Sequence, residues 1–169
     1  MRTNNRSRKY CGFSLIELLI VIALLGFLSI TGLSLFQGSQ KRTRDSRRKT
    51  ELQQLTKELE MYANDYSGYP SSTGGKIMGC AGTGTDPVAC TWGSAWVRGS
   101  TYTQKLPKDP GSGSYCYERD AASGKWYKLY AKLEGTDDAD YNSDVNLLCA
   151  GEKYTYVVLS PNITPTPKP

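Results

Sequence analysis

The chain has 169 residues, which is room for one domain and a membrane segment but not for two domains with separate cores. Its formal net charge is +5, yet four of its 21 Lys and Arg residues and none of its 16 Asp and Glu residues lie in the first twelve positions, so the remainder is nearly neutral. The lack of histidine excludes Ser-His-Asp and Cys-His catalytic centres and imidazole metal ligands.

The first predicted element is an apolar run at residues 13–36, in which Glu17 is the one charged residue. A helix over this run would be about 36 Å long, because each residue adds about 1.5 Å. It would cross a hydrocarbon core of about 30 Å, and we therefore expect a transmembrane helix. A carboxylate inside it costs about 3 kcal/mol on insertion scales, which predicts a partner of opposite charge.

The residues before the run, 1–12, are basic and end at Gly12. In an ordinary secretory signal the small residue of the cleavage site follows the apolar run, whereas Gly12 precedes it. Cleavage after Gly12 would leave an α-amino group on Phe13, about 6 Å along the helix from Glu17. That amine on a neighbouring copy of the chain would be the partner that Glu17 requires.

The stretch GFSLIELLIVIALLG at 12–26, behind a basic leader, resembles the class III signal of type IV prepilins and type II secretion pseudopilins. The resemblance implies that a prepilin peptidase cuts after Gly12 and methylates Phe13, and that Glu17 guides the subunit into a helical filament. It also implies an inner-membrane assembly platform as a partner. The subunit would sit in the bacterial inner membrane as a single-pass protein with its globular domain outside the cytoplasm, and the filament would lie in the periplasm or on the cell surface. The alternative is a plain signal anchor in which Glu17 reaches the membrane interface.

An amphipathic continuation of the helix is predicted at residues 37–67. Its apolar residues recur at spacings of three and four, as expected for a helix with one buried face, before Gly68 and Pro70 end it. This apolar stripe consists of Leu52, Leu55, Leu59, Tyr62 and Tyr66.

Six basic residues precede the apolar stripe. They predict a solvated helix face that pairs with acidic neighbours in a filament; the alternative is a surface for phospholipid headgroups or DNA. This basic cluster consists of Lys41, Arg42, Arg44, Arg47, Arg48 and Lys49.

Residues 68–160 are predicted to form a globular, pilin-like domain. It contains four cysteines in a region rich in Gly, Tyr and Ser, which is typical of oxidising compartments. Four cysteines allow three pairings and the sequence does not choose among them; we favour Cys80 with Cys90 and Cys116 with Cys149. The first part of the domain, 68–114, predicts an irregular connection in which Trp92 and Trp96 are packing anchors.

Three antiparallel strands are predicted after that connection. Alternation over 126–133 is typical of a half-buried strand, SYCYER before it completes a hairpin, and KYTYVVL at 153–159 supplies the third strand. The predicted fold class is α+β: a long N-terminal α-helix, transmembrane in its first half and amphipathic in its second, packed on a small antiparallel β-sheet. The proline-rich tail, 161–169, is predicted to be disordered.

The segment LPKDP at 106–110, followed by a Gly-rich turn and an aromatic strand, is similar to the major pseudopilin of type II secretion systems. In that family a late acidic loop binds calcium, and the corresponding place in this chain holds hard oxygen ligands. We favour a solvated acidic turn here, with calcium binding as the alternative; an EF-hand is excluded because Cys149 replaces its closing glutamate. The expected calcium ligands are Asp137, Asp138, Asp140, Asn142 and Asp144.

Together these features predict a structural subunit, not an enzyme, that is processed after Gly12 and assembles with itself or with other pilin subunits into a type IV pilus or a type II secretion pseudopilus. The second interpretation is a minor pilin that binds DNA or a surface through the basic cluster. Without histidine an enzyme would need a Ser-Lys or carboxylate mechanism, and no such pair stands out in the sequence. Calcium is the one cofactor that the sequence suggests.

Overall fold

The computed structural model describes residues 12–81, 86–143 and 147–163, without the side chains of residues 30–35. Within these ranges the chain forms one long helix followed by ten short strands, which confirms the α+β fold class. The elements are α1 Leu15–Tyr66, β1 Ser71–Thr73, β2 Lys76–Ala81, β3 Pro87–Ala89, β4 Trp96–Arg98, β5 Ser100–Thr103, β6 Cys116–Arg119, β7 Tyr127–Ala131, β8 Leu148–Cys149, β9 Glu152–Lys153 and β10 Tyr156–Leu159.

The chain divides into two compact units, one ending at Gln40 and the other beginning at Lys41. The first unit contains the N-terminal part of α1, and the second contains the rest of α1 and all the strands. Across the residues that the structure describes, no helix combines the length and apolarity needed to cross a membrane, contrary to the expectation for residues 13–36.

The end of α1 lies where the sequence predicts it. Tyr66 is the last helical residue, and Ser67 follows with a left-handed φ of 57°. A residue in this conformation commonly terminates an α-helix, because it turns the chain away from the helix axis. Gly68 and Pro70 then carry the chain into β1, and the helix does not resume.

The apolar stripe of α1 forms one wall of the core. Leu52, Leu55 and Leu59 have no exposed surface and Tyr62 is buried, whereas Tyr66 at the end of the stripe is 43% exposed. The opposite wall is formed by buried side chains from the connection and from the strands. These include Ile77, Trp96, Tyr102, Leu106, Tyr115, Tyr117, Tyr127, Leu129 and Ala131.

The three predicted strands form an antiparallel sheet in the order β10-β7-β6. The half-buried pattern predicted for β7 is largely confirmed, because Tyr127, Leu129 and Ala131 are buried and Lys128 on the other face is only partly buried. Tyr130 is the exception on that face, since it packs with Cys116, Cys149 and Tyr154 in a second cluster. The disulfide between those cysteines holds the late segment against Tyr130.

The prediction of an irregular connection at 68–114 is wrong. This stretch forms a three-stranded sheet, β1-β2-β3, and a hairpin of β4 and β5. Its strands do not show the alternation of apolar and polar residues by which strands are recognised in a sequence; β2 reads KIMGCA and β5 reads STYT. Trp96 is fully buried and its indole N–H donates to the carbonyl of Gly79 at 2.8 Å, so its prediction as a packing anchor is confirmed.

Two disulfides close the second unit, with the pairings that we favoured. Cys80 bonds to Cys90 across ten positions, and Cys116 bonds to Cys149 across 33. The first joins β2 to the residue that directly follows β3, within the β1-β2-β3 sheet. The second joins β6, at one edge of the β10-β7-β6 sheet, to β8, so that the late segment is covalently held against this sheet.

Candidate functional site

The N-terminal part of α1 presents a continuous apolar surface. Each of its large described apolar side chains up to Leu28 is at least 47% exposed. An apolar surface of this extent is unusual on a soluble monomer and indicates burial against lipid or against other protein. The side chains are Phe13, Leu15, Ile16, Leu18, Leu19, Ile20, Val21, Ile22, Leu24, Leu25, Phe27 and Leu28.

Glu17 lies in the first turn of α1 and is exposed among these apolar side chains. A carboxylate at this end of a helix interacts favourably with the positive end of the helix dipole. The helix is preceded by three exposed residues, Gly12, Phe13 and Ser14. The peptide bond after Gly12, at which cleavage is predicted, therefore lies outside regular secondary structure. The leader itself, up to Cys11, lies outside the described residues.

The buried face of α1 changes from apolar to ionic towards its N-terminal side. Asp45 and Arg48 stand seven and four positions before Leu52, at the spacing that continues the apolar stripe, and they are 1% and 3% exposed. The guanidinium of Arg48 donates two parallel hydrogen bonds of 2.8 Å to the carboxylate of Asp109. It also donates to Asp45 at 2.7 Å and to Glu134 at 2.8 Å.

The carboxylates around Arg48 also hold the backbone of two loops. Asp45 accepts the backbone N–H of Glu134 and that of Gly135, the latter at 2.8 Å. Asp109, in the LPKDP segment, accepts the N–H of Gly111 at 2.7 Å. One turn of α1 therefore holds both the LPKDP loop and the loop after β7 in place. Burying these charges costs far less folding free energy than burying unpaired charges would, because each charge has partners of opposite sign.

Charge pairing sets the pKa values in this network. The hydrogen bond from Arg44, with that from Arg48, lowers the pKa of Glu134 to about 2 against the opposing effect of burial. Burial raises the pKa of Asp109, but the hydrogen bonds from Arg48 and Gly111 outweigh it and leave that pKa below its usual value. The hydrogen bond to Asp109 in turn raises the pKa of Arg48, so all of these groups are charged at neutral pH.

Four more members of the basic cluster are paired within the chain. Arg44 and Glu134 form a two-point ion pair. The remaining pairs are Arg42 with Asp137, Arg47 with Glu51, and Lys49 with both Asp138 and Asp140. Arg42 and Arg47 are solvated as predicted, with 78% and 62% of their side chains exposed, whereas Arg48 is buried and Arg44 and Lys49 are partly buried. Carboxylates up to 95 positions away pair with these cations, which leaves fewer unpaired positive charges for the lipid or DNA interpretation.

The expected calcium ligands do not converge. Within the described ranges no three acidic or cysteine side chains lie together in a way that would hold a metal ion. Asp137, Asp138 and Asp140 instead face cations of α1, and the backbone N–H of Asn142 donates to Thr155. Asp144 lies outside the described residues.

Sequence reasoning missed the three acidic partners of Arg48. Asp45 had one usable signal, since it continues the helical spacing of the buried leucines. Asp109 lies in the LPKDP segment, but nothing in the segment indicates its partner. Glu134 follows β7 immediately and carries no distinguishing pattern.

Comparisons with known proteins cover both units. Residues 7–33 match the family model of the prokaryotic N-terminal methylation motif, and residues 36–147 match that of type II secretion system protein G. The type II secretion system core protein G of Vibrio cholerae serotype O1 is 29% identical over 112 residues, covering 66% of this chain and 73% of that protein. That of Pseudomonas aeruginosa is 26% identical, covering 81% of this chain and 91% of that protein.

The same relation extends to the core protein G of Escherichia coli K12, which is 24% identical over 80% of this chain and 88% of that protein. No solved structure matches the chain. The methylation motif falls on the segment with the exposed apolar surface, and the longer match contains the basic cluster, both predicted loops and the strands β6 and β7. The chain therefore belongs to the type II secretion system protein G family, the pseudopilin family that its signal and its LPKDP segment resemble.

Proposed function

We propose that this protein is a structural subunit that polymerises into a pseudopilus-type filament. The observation that carries the proposal is the apolar surface of α1 up to Leu28, which the described residues leave exposed and which coincides with the matched methylation motif. Other copies of the same helix would bury it in a filament. The role is mechanical, and it requires no catalytic residue.

Processing and register depend on three residues. A prepilin peptidase would cleave after Gly12 and methylate Phe13, leaving a cationic amine at the end of an apolar helix. The carboxylate of Glu17 on a neighbouring subunit would pair with that amine, because an apolar surrounding strongly favours pairing over two isolated charges. The support is the spacing of the three residues and the exposure of Phe13 and Glu17.

Before assembly the subunit would be held in the bacterial inner membrane, with the second unit outside the cytoplasm. The two disulfides support this side of the membrane, because such bonds persist in oxidising compartments. The filament would grow from an inner-membrane assembly platform into the periplasm or onto the cell surface. The neutralised basic cluster favours this filament role over DNA binding.

The first prediction concerns the mature N-terminus and Glu17. Mass spectrometry of the N-terminal peptide, from protein isolated out of native membranes or filaments, should find a chain that begins at N-methylated Phe13. In the Glu17→Gln variant we expect the same processed peptide but few or no filaments by electron microscopy of sheared fractions, because the neutral amide does not pair with the amine.

The control for Glu17→Gln is Glu152→Gln, which removes an exposed carboxylate from β9 and should leave filament yield unchanged. A wild-type chain that retains residues 1–12 in its native membrane would contradict the proposal and favour a static anchor. Normal filaments in the Glu17→Gln variant would contradict the assigned role of Glu17 while leaving the filament role intact.

A further inference from the structure

The acidic loop after β7 already contains a cation, supplied by the helix. The Nζ atom of Lys49 lies 2.5 Å from Oδ1 of Asp138 and 2.7 Å from Oδ2 of Asp140. The lysine side chain is 21% exposed, and the ring of Tyr156 lies on a further side, with its centroid 5.8 Å from Nζ. The ammonium is thus held between two carboxylates and an aromatic ring.

A calcium ion would need the same space. Calcium binds carboxylate oxygens at 2.3–2.6 Å, which is nearly the distance at which these two oxygens surround the lysine nitrogen. The ammonium and the metal ion therefore exclude each other. The remaining described carboxylate of the loop, Asp137, is bound to Arg42 at 2.9 Å, and Oδ1 of Asp138 also accepts the backbone N–H of Asp140.

We propose that the ammonium of Lys49 is the resident cation of this loop, so that residues 137–142 are held in place without calcium. The described residues do not fit the calcium site, because Asp138 and Asp140 each give one oxygen to the ammonium of Lys49 and Asp137 gives one to Arg42. The loop is tied to α1 directly. The inference depends on the second unit alone and not on whether the chain forms filaments.

The experiment compares the full-length protein in detergent micelles with and without calcium. Calcium binding is followed by isothermal titration with CaCl2, and the Tm is measured in CaCl2 and in EGTA. We expect the wild-type chain to show no calcium binding and the same Tm in both solutions. A wild-type chain that binds calcium and melts higher in its presence would overturn the proposal.

Variants of Lys49 test the site itself. In Lys49→Ala the two carboxylates lose their cation, and we expect the Tm in EGTA to fall by about 4 °C. Calcium should then bind and restore part of the loss, since it takes the place that the ammonium vacates. Lys49→Arg, which keeps a cation at this position, should behave as the wild type does in both solutions.

The matched control is Lys57→Ala, which removes an exposed lysine from the same helix and should leave the Tm and the absence of calcium binding unchanged. A Lys49→Ala chain whose Tm is the same in CaCl2 and EGTA would overturn the proposal, because the vacated oxygens would then not be cation ligands. If Lys49→Ala does not fold, the calcium titrations of the wild type and of Lys49→Arg still test the proposal, because calcium binding to the wild type would contradict it.

Discussion

Arg48 is the most constrained side chain in the second unit. It is 3% exposed and donates to three carboxylates, of which Asp45 and Asp109 are themselves buried. A buried ion pair contributes little relative to a well-packed apolar replacement of the whole group. Removing one member is different, because it leaves the opposite charges buried without compensation.

We therefore expect Arg48→Met to lower the free energy of unfolding by about 3–5 kcal/mol, since two buried carboxylates lose their counter-ion. The control is Arg47→Gln one position earlier. Arg47 is 62% exposed and pairs only with Glu51, so its loss should cost less than about 1 kcal/mol. Urea unfolding followed by circular dichroism measures both, and equal costs for the two variants would contradict the assignment.

Glu58 carries a buried oxygen without a partner. Its side chain is 6% exposed; Oε1 accepts a hydrogen bond from Gln54 at 3.3 Å, and Oε2 has no hydrogen-bond partner among the residues that the structure describes. Burial is the main influence on this carboxyl and raises its pKa, partly opposed by the hydrogen bond from Gln54. The folded state therefore favours the protonated form more than the unfolded chain does.

A raised carboxyl pKa makes the folded state bind more protons than the unfolded state, so stability falls as the pH rises from the unfolded pKa through the folded one. We expect Glu58→Gln to raise the free energy of unfolding at pH 7 by about 1 kcal/mol, because the amide carries no charge to bury. The difference from wild type should disappear below the carboxylate range. Urea unfolding across this pH range tests it, with the exposed Glu152→Gln as control, and a destabilised variant at pH 7 would contradict it.

At the scale of elements, α1 within the second unit attaches to its domain in two chemically different ways. From Leu52 to Tyr62 it contributes buried apolar side chains, and from Arg42 to Lys49 it contributes cations that bind loops. Carboxylates also lie beside this apolar section of α1, where they accept hydrogen bonds from tyrosine hydroxyl groups of the domain. These pairs are Glu51 with Tyr115, Glu60 with Tyr69, and Asp65 with Tyr102.

The two disulfides are predicted to contribute unequally to stability. The bond from Cys116 to Cys149 closes a loop of 33 positions and the bond from Cys80 to Cys90 one of ten. In the chain-entropy model this corresponds to about 4 and about 3 kcal/mol, because a longer loop has more freedom in the unfolded chain. The longer bond also lies in the second buried cluster with Tyr130 and Tyr154.

Paired alanine substitutions test this difference. Cys116→Ala with Cys149→Ala should lower the free energy of unfolding by about 1 kcal/mol more than Cys80→Ala with Cys90→Ala. Unfolding of the oxidised proteins in guanidinium chloride measures the free energy of unfolding of both variants. The wild type in strong reductant, which lacks both disulfides, gives the lowest value expected. A larger loss from the Cys80 and Cys90 pair would contradict the loop-length argument.

At the scale of the whole molecule, the two units have opposite surface chemistry. The first exposes its apolar side chains up to Leu28. The second satisfies most of its basic cluster with its own carboxylates, which agrees with the near neutrality of the chain beyond its first twelve residues. Association of copies of this protein should therefore depend mainly on the first unit.

The sequence by itself determined the features that have a local period or a fixed spacing. These are the signal around Gly12, Phe13 and Glu17, the end of α1 near Tyr66, the leucine stripe and the three central strands. Each is visible because residues three to four or two positions apart share a face of a helix or a strand. The short strands between residues 71 and 103 escaped prediction because sequences such as KIMGCA in β2 and STYT in β5 do not alternate apolar with polar residues.

Only the tertiary structure decided where the charges go. Arg48 meets Asp109 and Glu134 at separations of 61 and 86 positions, and Lys49 meets Asp138 at 89. No local pattern encodes such a meeting, because it depends on how the loops return to the helix. The sequence therefore predicted the basic face and the acidic loop as separate features, whereas the fold brings them together and pairs Arg42 and Lys49 with carboxylates of the loop.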